Sequence, residues 1–171
     1  MFRTGHLGVA LALYAPVGGW LLALQHPTAA VLGGAAVLWT TMLPDWDHRI
    51  PFLTHRGATH TLAFAGLLAG SVWAAVGAGA KAANLDAPAV GPLPLSAFAA
   101  GIVALALLAH LVADLLTPMG VALLWPLTDR RYSLSVTPAD STAWNYALFA
   151  LGVFATGAAA YLALDLLVQG G

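Results

Sequence analysis

Six histidines and seven aspartates are the residues of this chain with metal-binding or acid–base chemistry to offer. There is no cysteine and no glutamate, so thiolate ligands and nucleophiles are excluded and every carboxylate is an aspartate. Three stretches concentrate these groups: Asp45-Trp46-Asp47-His48, His55-Arg56-Gly57-Ala58-Thr59-His60, and His110-x-x-x-Asp114, with His6 near the start. The i,i+4 spacing of His110 and Asp114 puts both on one helix face, about one turn apart. An aspartate in an apolar helix is costly unless it is paired, protonated or bound to a cation. Asp45 and Asp47 follow Pro44, which stops the preceding helix, so they lie on a turn. Taken singly, these motifs read equally well as a buried His–Asp hydrogen bond, a solvated turn and a pair of interfacial histidines. Taken together, imidazole and carboxylate are the ligands of Zn²⁺ and related divalent ions. His6, Asp45, Asp47, His60, His110 and Asp114 exceed the needs of one tetrahedral ion. That points to two ions, or to one ion with carboxylates behind its ligands. Arg56 matches a phosphate with its planar fork, or simply marks the positive side of a membrane protein. Arg130-Arg131 suits anionic lipid headgroups.

The elements that must position these groups follow from composition. Only 8% of the 171 residues are charged and 60% are hydrophobic, with a mean hydropathy of +0.84. An ordinary soluble domain carries roughly 25% charged residues. A net charge of −1 and the absence of cysteine also exclude a basic nucleic-acid-binding domain, a disordered chain and a disulfide-stapled scaffold. The chain is an integral membrane protein, one domain long, with residues 1–171 read as a single unit. Five apolar runs are candidates for spanning helices: Gly5–Leu24, Thr28–Leu43, Thr61–Ala80, Leu95–Leu116 and Ala143–Leu164. They are too long and continuous for barrel strands, so the fold class is an all-α polytopic bundle of about five transmembrane helices. Gly66-x-x-x-Gly70 in the third run would suit a close helix contact. The stretch 81–94 reads as a loop, and 117–142 as a polar segment at the membrane interface. Arg3, Arg49, Arg56, Arg130 and Arg131 fall on one side of this arrangement and only Lys81 on the other, which orients the chain with its N-terminus inside and C-terminus outside. The first run is long for a cleaved signal and lacks a convincing small-residue cleavage site. Of the thirteen His and Asp residues, all but His26, Asp86 and Asp165 then gather at the cytoplasmic face. Antiparallel helices build metal sites in bundles in this way.

On these residues the sequence resembles the LexA-binding, inner-membrane-associated metal-dependent hydrolases of the YdjM type. The matching stretches are Gly5-His6-Leu7, Leu43-Pro44-Asp45-Trp46-Asp47-His48, His55 to Leu62, His110 to Val121, and Leu124-Trp125-Pro126. More remotely, the pattern is similar to the zinc-dependent phospholipase C and nuclease P1 group. That resemblance implies that His60, His110 and Asp114 hold one zinc, that His6 with a bridging Asp114 holds another, and that Asp45 or Asp47 ligates or activates water. The soluble enzymes also use a further His/His/Glu site and an N-terminal Trp, neither of which this chain has.

The reading that results is a hydrolase of the inner or plasma membrane dependent on one or two divalent ions, zinc favoured. Water activated by metal attacks a phosphoester, of a lipid or lipid-linked substrate, at the cytoplasmic face. His6, Asp45, His60, His110 and Asp114 are expected to hold the metal. Asp47, His55 and Arg56 are expected to serve the reaction, Arg56 as a clamp on the substrate anion, with either Asp47 or Asp45 as the base on water. The lipid bilayer is the expected surrounding, and no direct nucleic-acid binding is expected. The rivals are a non-catalytic membrane protein that holds a cytosolic protein partner, and a transporter using His110 and Asp114 as a relay. Transporters place such groups near the midplane, whereas these lie close to helix ends.

Overall fold

The computed structural model describes residues 1–52, 54–86 and 88–169. Its five α-helices coincide with the five apolar runs: α1 (Arg3–Ala23), α2 (Pro27–Thr40), α3 (Leu62–Ala82), α4 (Leu95–Leu115) and α5 (Thr142–Gln169). Four of them are long and apolar enough to cross a membrane. The 21 residues of α1, α3 or α4 give about 31 Å at 1.5 Å per residue, matching a hydrocarbon core of about 30 Å. The exception is α2, whose 14 residues reach only about 21 Å.

Local chemistry sets these boundaries. Gln25 takes a left-handed conformation between α1 and α2, and Pro27 opens α2 where its missing N–H costs nothing. The hydroxyls of Thr40 and Thr41 bond back to the carbonyls of Ala36 and Val37 at the end of α2. Pro44 then starts a 3₁₀ helix, Pro44–Arg49, and a second, Ala58–His60, leads into α3. Thr61 caps α3 by accepting from the Phe64 N–H at 3.0 Å.

Helix α1 lies at the centre. It runs parallel to α5, and Gly8 and Gly152 are where the two backbones meet. A Cβ at Gly152 would lie 2.2 Å from the Gly8 carbonyl oxygen, and one at Gly8 would lie 2.4 Å from the Leu148 backbone. On its other side α1 packs on α2 and α4 through a core of Ala10, Tyr14, Val37, Ile102, Ala106 and Ala109. The Tyr14 hydroxyl donates to the Ala30 carbonyl, which keeps this buried phenol satisfied. Helix α3 packs mainly on α4 and is otherwise open. Alanine side chains at Gly66 and Gly70 would meet nothing within 4 Å among the described residues, so the expected close contact at this pair is absent; Gly8–Gly152 is a glycine contact that the bundle does use.

Two connections carry more structure than the sequence suggested. The stretch read as a loop contains a short antiparallel hairpin, β1 (Ala89–Val90) and β2 (Leu93–Pro94), turning at Gly91 with φ 57°. After α4 the chain folds back on the helix end: Val121 bridges Tyr132, and the N–H groups of Leu134, Val136 and Thr137 donate to the carbonyls of Leu115 and Leu116. Gly120 permits this return, since at φ 61° a Cβ would lie 2.3 Å from the Tyr132 carbonyl oxygen. The start of α1, both 3₁₀ helices and the end of α4 thereby share one end of the bundle.

Candidate metal centre

Four side-chain atoms converge at that end. The Nε2 atoms of His60 and His110 lie 3.1 Å apart. Asp45 Oδ1 is 3.3 Å from the first and 3.4 Å from the second. Asp114 Oδ2 is 3.5 Å from each. These are the five edges of a tetrahedron that do not join the two carboxylates. Zinc bonds of 2.0–2.2 Å in tetrahedral geometry imply ligand–ligand edges of about 3.3–3.6 Å. The observed distances are of about that size, and they fall in two groups of close donors that share His110: Asp45, His60 and His110, and His6, His110 and Asp114. His6 adds a fifth nitrogen, with Nε2 3.4 Å from Asp114 Oδ1 and its ring stacked on His110 at 4.3 Å. His6, His60, His110 and Asp114 are at most 1% exposed. Asp45 alone keeps part of its side chain open, at 22%.

Proton accounting sharpens this. His6 Nδ1 lies 3.2 Å from the Phe2 carbonyl oxygen, which can only accept, so Nδ1 carries the proton and Nε2 of the neutral ring offers a lone pair. At His60 the Thr59 hydroxyl donates to Asp47 Oδ2 at 3.1 Å and so accepts from His60 Nδ1 at 2.9 Å. His60 Nε2 is then also a lone pair, aimed at His110 and two carboxylates. Burial lowers the His60 imidazole more than its contact with Asp45 raises it, which keeps the ring neutral. Burial alone raises the Asp45 carboxyl, but hydrogen bonding with His110 and His60 outweighs it and holds the group well below the usual carboxylate range. His6 Nε2 and Asp114 Oδ2 are both buried, and neither has a partner in hydrogen-bond geometry among the described residues. Buried lone pairs facing carboxylate oxygens repel unless a cation lies between them. The donor set therefore suits a bound metal.

Around this cluster stands a supporting shell. Asp47, 1% exposed, accepts from the Arg56 N–H at 3.3 Å and from Thr59, and sits 3.1 Å from His55 Nδ1 and 3.4 Å from His60 Nδ1. It fixes the tautomer of His60 from behind, as carboxylates do for metal-binding histidines. Of the Asp45/Asp47 pair, it is the member whose two oxygens are both engaged with protein. Arg56 is displaced from its expected role. Its guanidinium is buried, with NH2 donating to Asp114 Oδ1 at 2.6 Å and NH1 to Thr117 and the Gly120 carbonyl, both at 3.1 Å. The fork that was expected to clamp a substrate anion instead holds Asp114. His55 stays partly exposed, 34% at the side chain, with Nδ1 against Asp47.

The sequence reading missed His48. It stacks on His55 at 3.8 Å, and its ring joins Asp45 and His55 in a second, more exposed group of close donor atoms. The signal was present: with three residues per turn, a 3₁₀ helix puts residues 45 and 48 on one face. Among the described residues, His26, Asp86 and Asp165 take no part in these groups.

The profile of YdjM inner membrane protein matches residues 1–169. The chain belongs to the YdjM inner membrane protein family. Its apolar helices and this family membership make it a multi-pass protein of the inner membrane. No curated protein and no solved structure matches the chain, so the remoter likeness to the phospholipase C and nuclease P1 group gains no support.

Proposed function

We propose that this YdjM-family chain is a membrane-embedded, metal-dependent hydrolase, with a phosphoester of a lipid or lipid-linked molecule as its favoured substrate. The observation that carries the reading is the convergence of four buried or half-buried donor atoms, with the lone pair of the neutral His60 ring among them. His60, His110, Asp45 and Asp114 would hold the first ion. His6, with Asp114 between, would complete a second position. A divalent ion in such a set supplies Lewis acidity and lowers the pKa of water towards neutrality. The chain's own residues do the rest. Asp47 and Thr59 hold His60 with its lone pair inward, and Arg56 fixes Asp114. His55 has Nδ1 on Asp47 and, among the described residues, no partner on Nε2, so it is the group placed to take a proton from water or return one to a leaving oxygen. The chain shows no Ser or Thr nucleophile motif with an adjacent base, which favours water as the attacking group.

Elemental analysis of purified protein, followed by a phosphoesterase screen on lipid and soluble substrates, tests this reading. Wild type should retain a stoichiometric divalent ion, and His110→Ala should lose it together with all turnover. Asp86→Asn, which lies outside the cluster, should keep both. Metal-loaded protein that turns over no phosphoester would hand the function to the partner-binding alternative.

A further inference from the structure

Asp45 does more than face the buried donors. It also forms one wall of a cavity of about 360 Å³ shared with Arg3, Trp39, Met42, Trp46 and Arg49. That volume lies in the usual range for ligand pockets, about 300–1,000 Å³. Three elements meet there: the first residue of α1, the last turns of α2, and the 3₁₀ helix, whose three-residue period puts Trp46 and Arg49 on one face. Arg3 and Arg49 are exposed and, among the described residues, neither side chain makes a hydrogen bond or an ion pair. The two tryptophans are also open, Trp39 at 74% and Trp46 at 45%. Exposed indoles at a helix end are what the headgroup region of a bilayer favours.

A positive-inside bias would explain two arginines anywhere on this side of the membrane. It does not explain why both line one cavity that opens on the only partly exposed member of the donor cluster. Two other cavities fit less well. One, lined by His55, Arg56, Trp125, Asp129 and Arg131, has both arginines engaged with protein, Arg56 on Asp114 and Arg131 on the Met119 and Gly120 carbonyls, and contains none of the four converging atoms. The other lies beside Lys81 and the hairpin, away from the cluster.

We infer that the Arg3–Arg49 cavity is the substrate entrance, and that it receives a phosphate group carried by a membrane lipid. The two guanidinium forks bind the phosphate oxygens, and Trp39 and Trp46 flank the apolar part of the molecule. The assignment rests on the hydrolase reading for its purpose, but not for its test. A soluble phosphate offers the same oxygens without an acyl chain, and would leave the tryptophans without a role.

The test is quenching of tryptophan fluorescence in phosphatidylcholine nanodiscs by spin-labelled phosphatidic acid, compared with spin-labelled phosphatidylcholine. It is run with chelator present and again after metal loading. Wild type should prefer the phosphatidic acid in both conditions. The preference should fall about tenfold in Arg3→Gln/Arg49→Gln, the size expected when hydrogen bonds to a charged group are lost. It should persist in Arg130→Gln and Arg131→Gln, and in Trp39→Phe/Trp46→Phe the excess quenching by phosphatidic acid should vanish, leaving only the equal quenching of the other four tryptophans by both lipids. No preference in wild type, a preference that survives the double arginine variant, or one lost in Arg131→Gln would each overturn the assignment. So would its abolition by millimolar inorganic phosphate, which would identify a soluble ligand. A chain that binds no metal but keeps the arginine-dependent preference retains this pocket and loses the hydrolase reading. A metal-binding chain without the preference does the reverse.

Discussion

At the scale of single residues, what decides the site is which nitrogen of each histidine carries the proton. Thr59 and Asp47 set this for His60. Removing either partner should leave the donor in place but free its ring to turn or change tautomer. Thr59→Val and Asp47→Asn are therefore expected to weaken metal binding by about 10–100-fold, while Asp114→Asn and His110→Ala abolish it. Metal titration by equilibrium dialysis separates the two behaviours. Arg56 gives a prediction of a different kind. Its buried bond to Asp114 means that Arg56→Met leaves a carboxylate unpaired in a dry interior, at a cost of about 3–5 kcal/mol. Adding Asp114→Asn should recover part of that loss, and thermal unfolding of the three variants in detergent would show it. These partners explain what could be read from the sequence and what could not. His110 and Asp114 were legible because i,i+4 is a property of any helix. The assignment of Asp45 and Asp47 was not, because a turn after a proline leaves their directions open. On the 3₁₀ helix that forms, residues two apart point about 120° away from each other, so Asp45 meets the donors and Asp47 backs them. Nor does residue type say where an arginine fork points.

At the scale of elements, the bundle depends on small residues where backbones touch. Five apolar runs announced five helices, but which glycines matter is a fact of three dimensions. Gly66-x-x-x-Gly70 has the spacing of a contact motif and faces open space, whereas Gly8 and Gly152, on separate helices, have no spacing to notice and lie in backbone contact. Gly152→Ala would push a Cβ to within 2.2 Å of the Gly8 carbonyl oxygen. Backbone cannot yield as a flexible side chain can, so a loss of about 1–3 kcal/mol or more is expected. Gly66→Ala and Gly70→Ala should be neutral or stabilise α3 by up to about 1 kcal/mol, the helix-propensity difference. The measurement is the denaturant midpoint of each variant in the same detergent. Equal losses at all positions would mean that α3 is packed in the membrane against something further. The hairpin at Gly91 escaped the sequence reading for a related reason: two-residue strands are too short to show alternation.

At the scale of the whole molecule, the donor cluster marks one end of the bundle, and the distribution of charge orients that end. Helix α2 is short, yet it still runs from one end of the molecule to the other. Its leading residue His26 lies beside the Gly91 turn, and the 3₁₀ helix after it reaches the donor cluster. Five traverses then put the chain's two ends on opposite sides. Charge supplies the direction. Arg56 is consumed by its buried bond to Asp114 and should not be counted as a free topological charge. Arg3, Arg49, Arg130 and Arg131 remain at the cluster end against Lys81 at the other, a clear bias of the kind that keeps basic connections inside. The chain has no cysteine, so single substitutions report without background. Ile50→Cys and Leu134→Cys, both on exposed side chains, should react with a membrane-impermeant maleimide only after the cells are broken. Asp86→Cys should react on intact spheroplasts. If positions 50 and 134 label from outside, the cluster opens to the periplasm, and the lipid phosphate and the metal must both be drawn from that side. If 50 labels from outside and 134 does not, α3 and α4 do not both span, and the shared end of the bundle on which the site depends would have to be rebuilt.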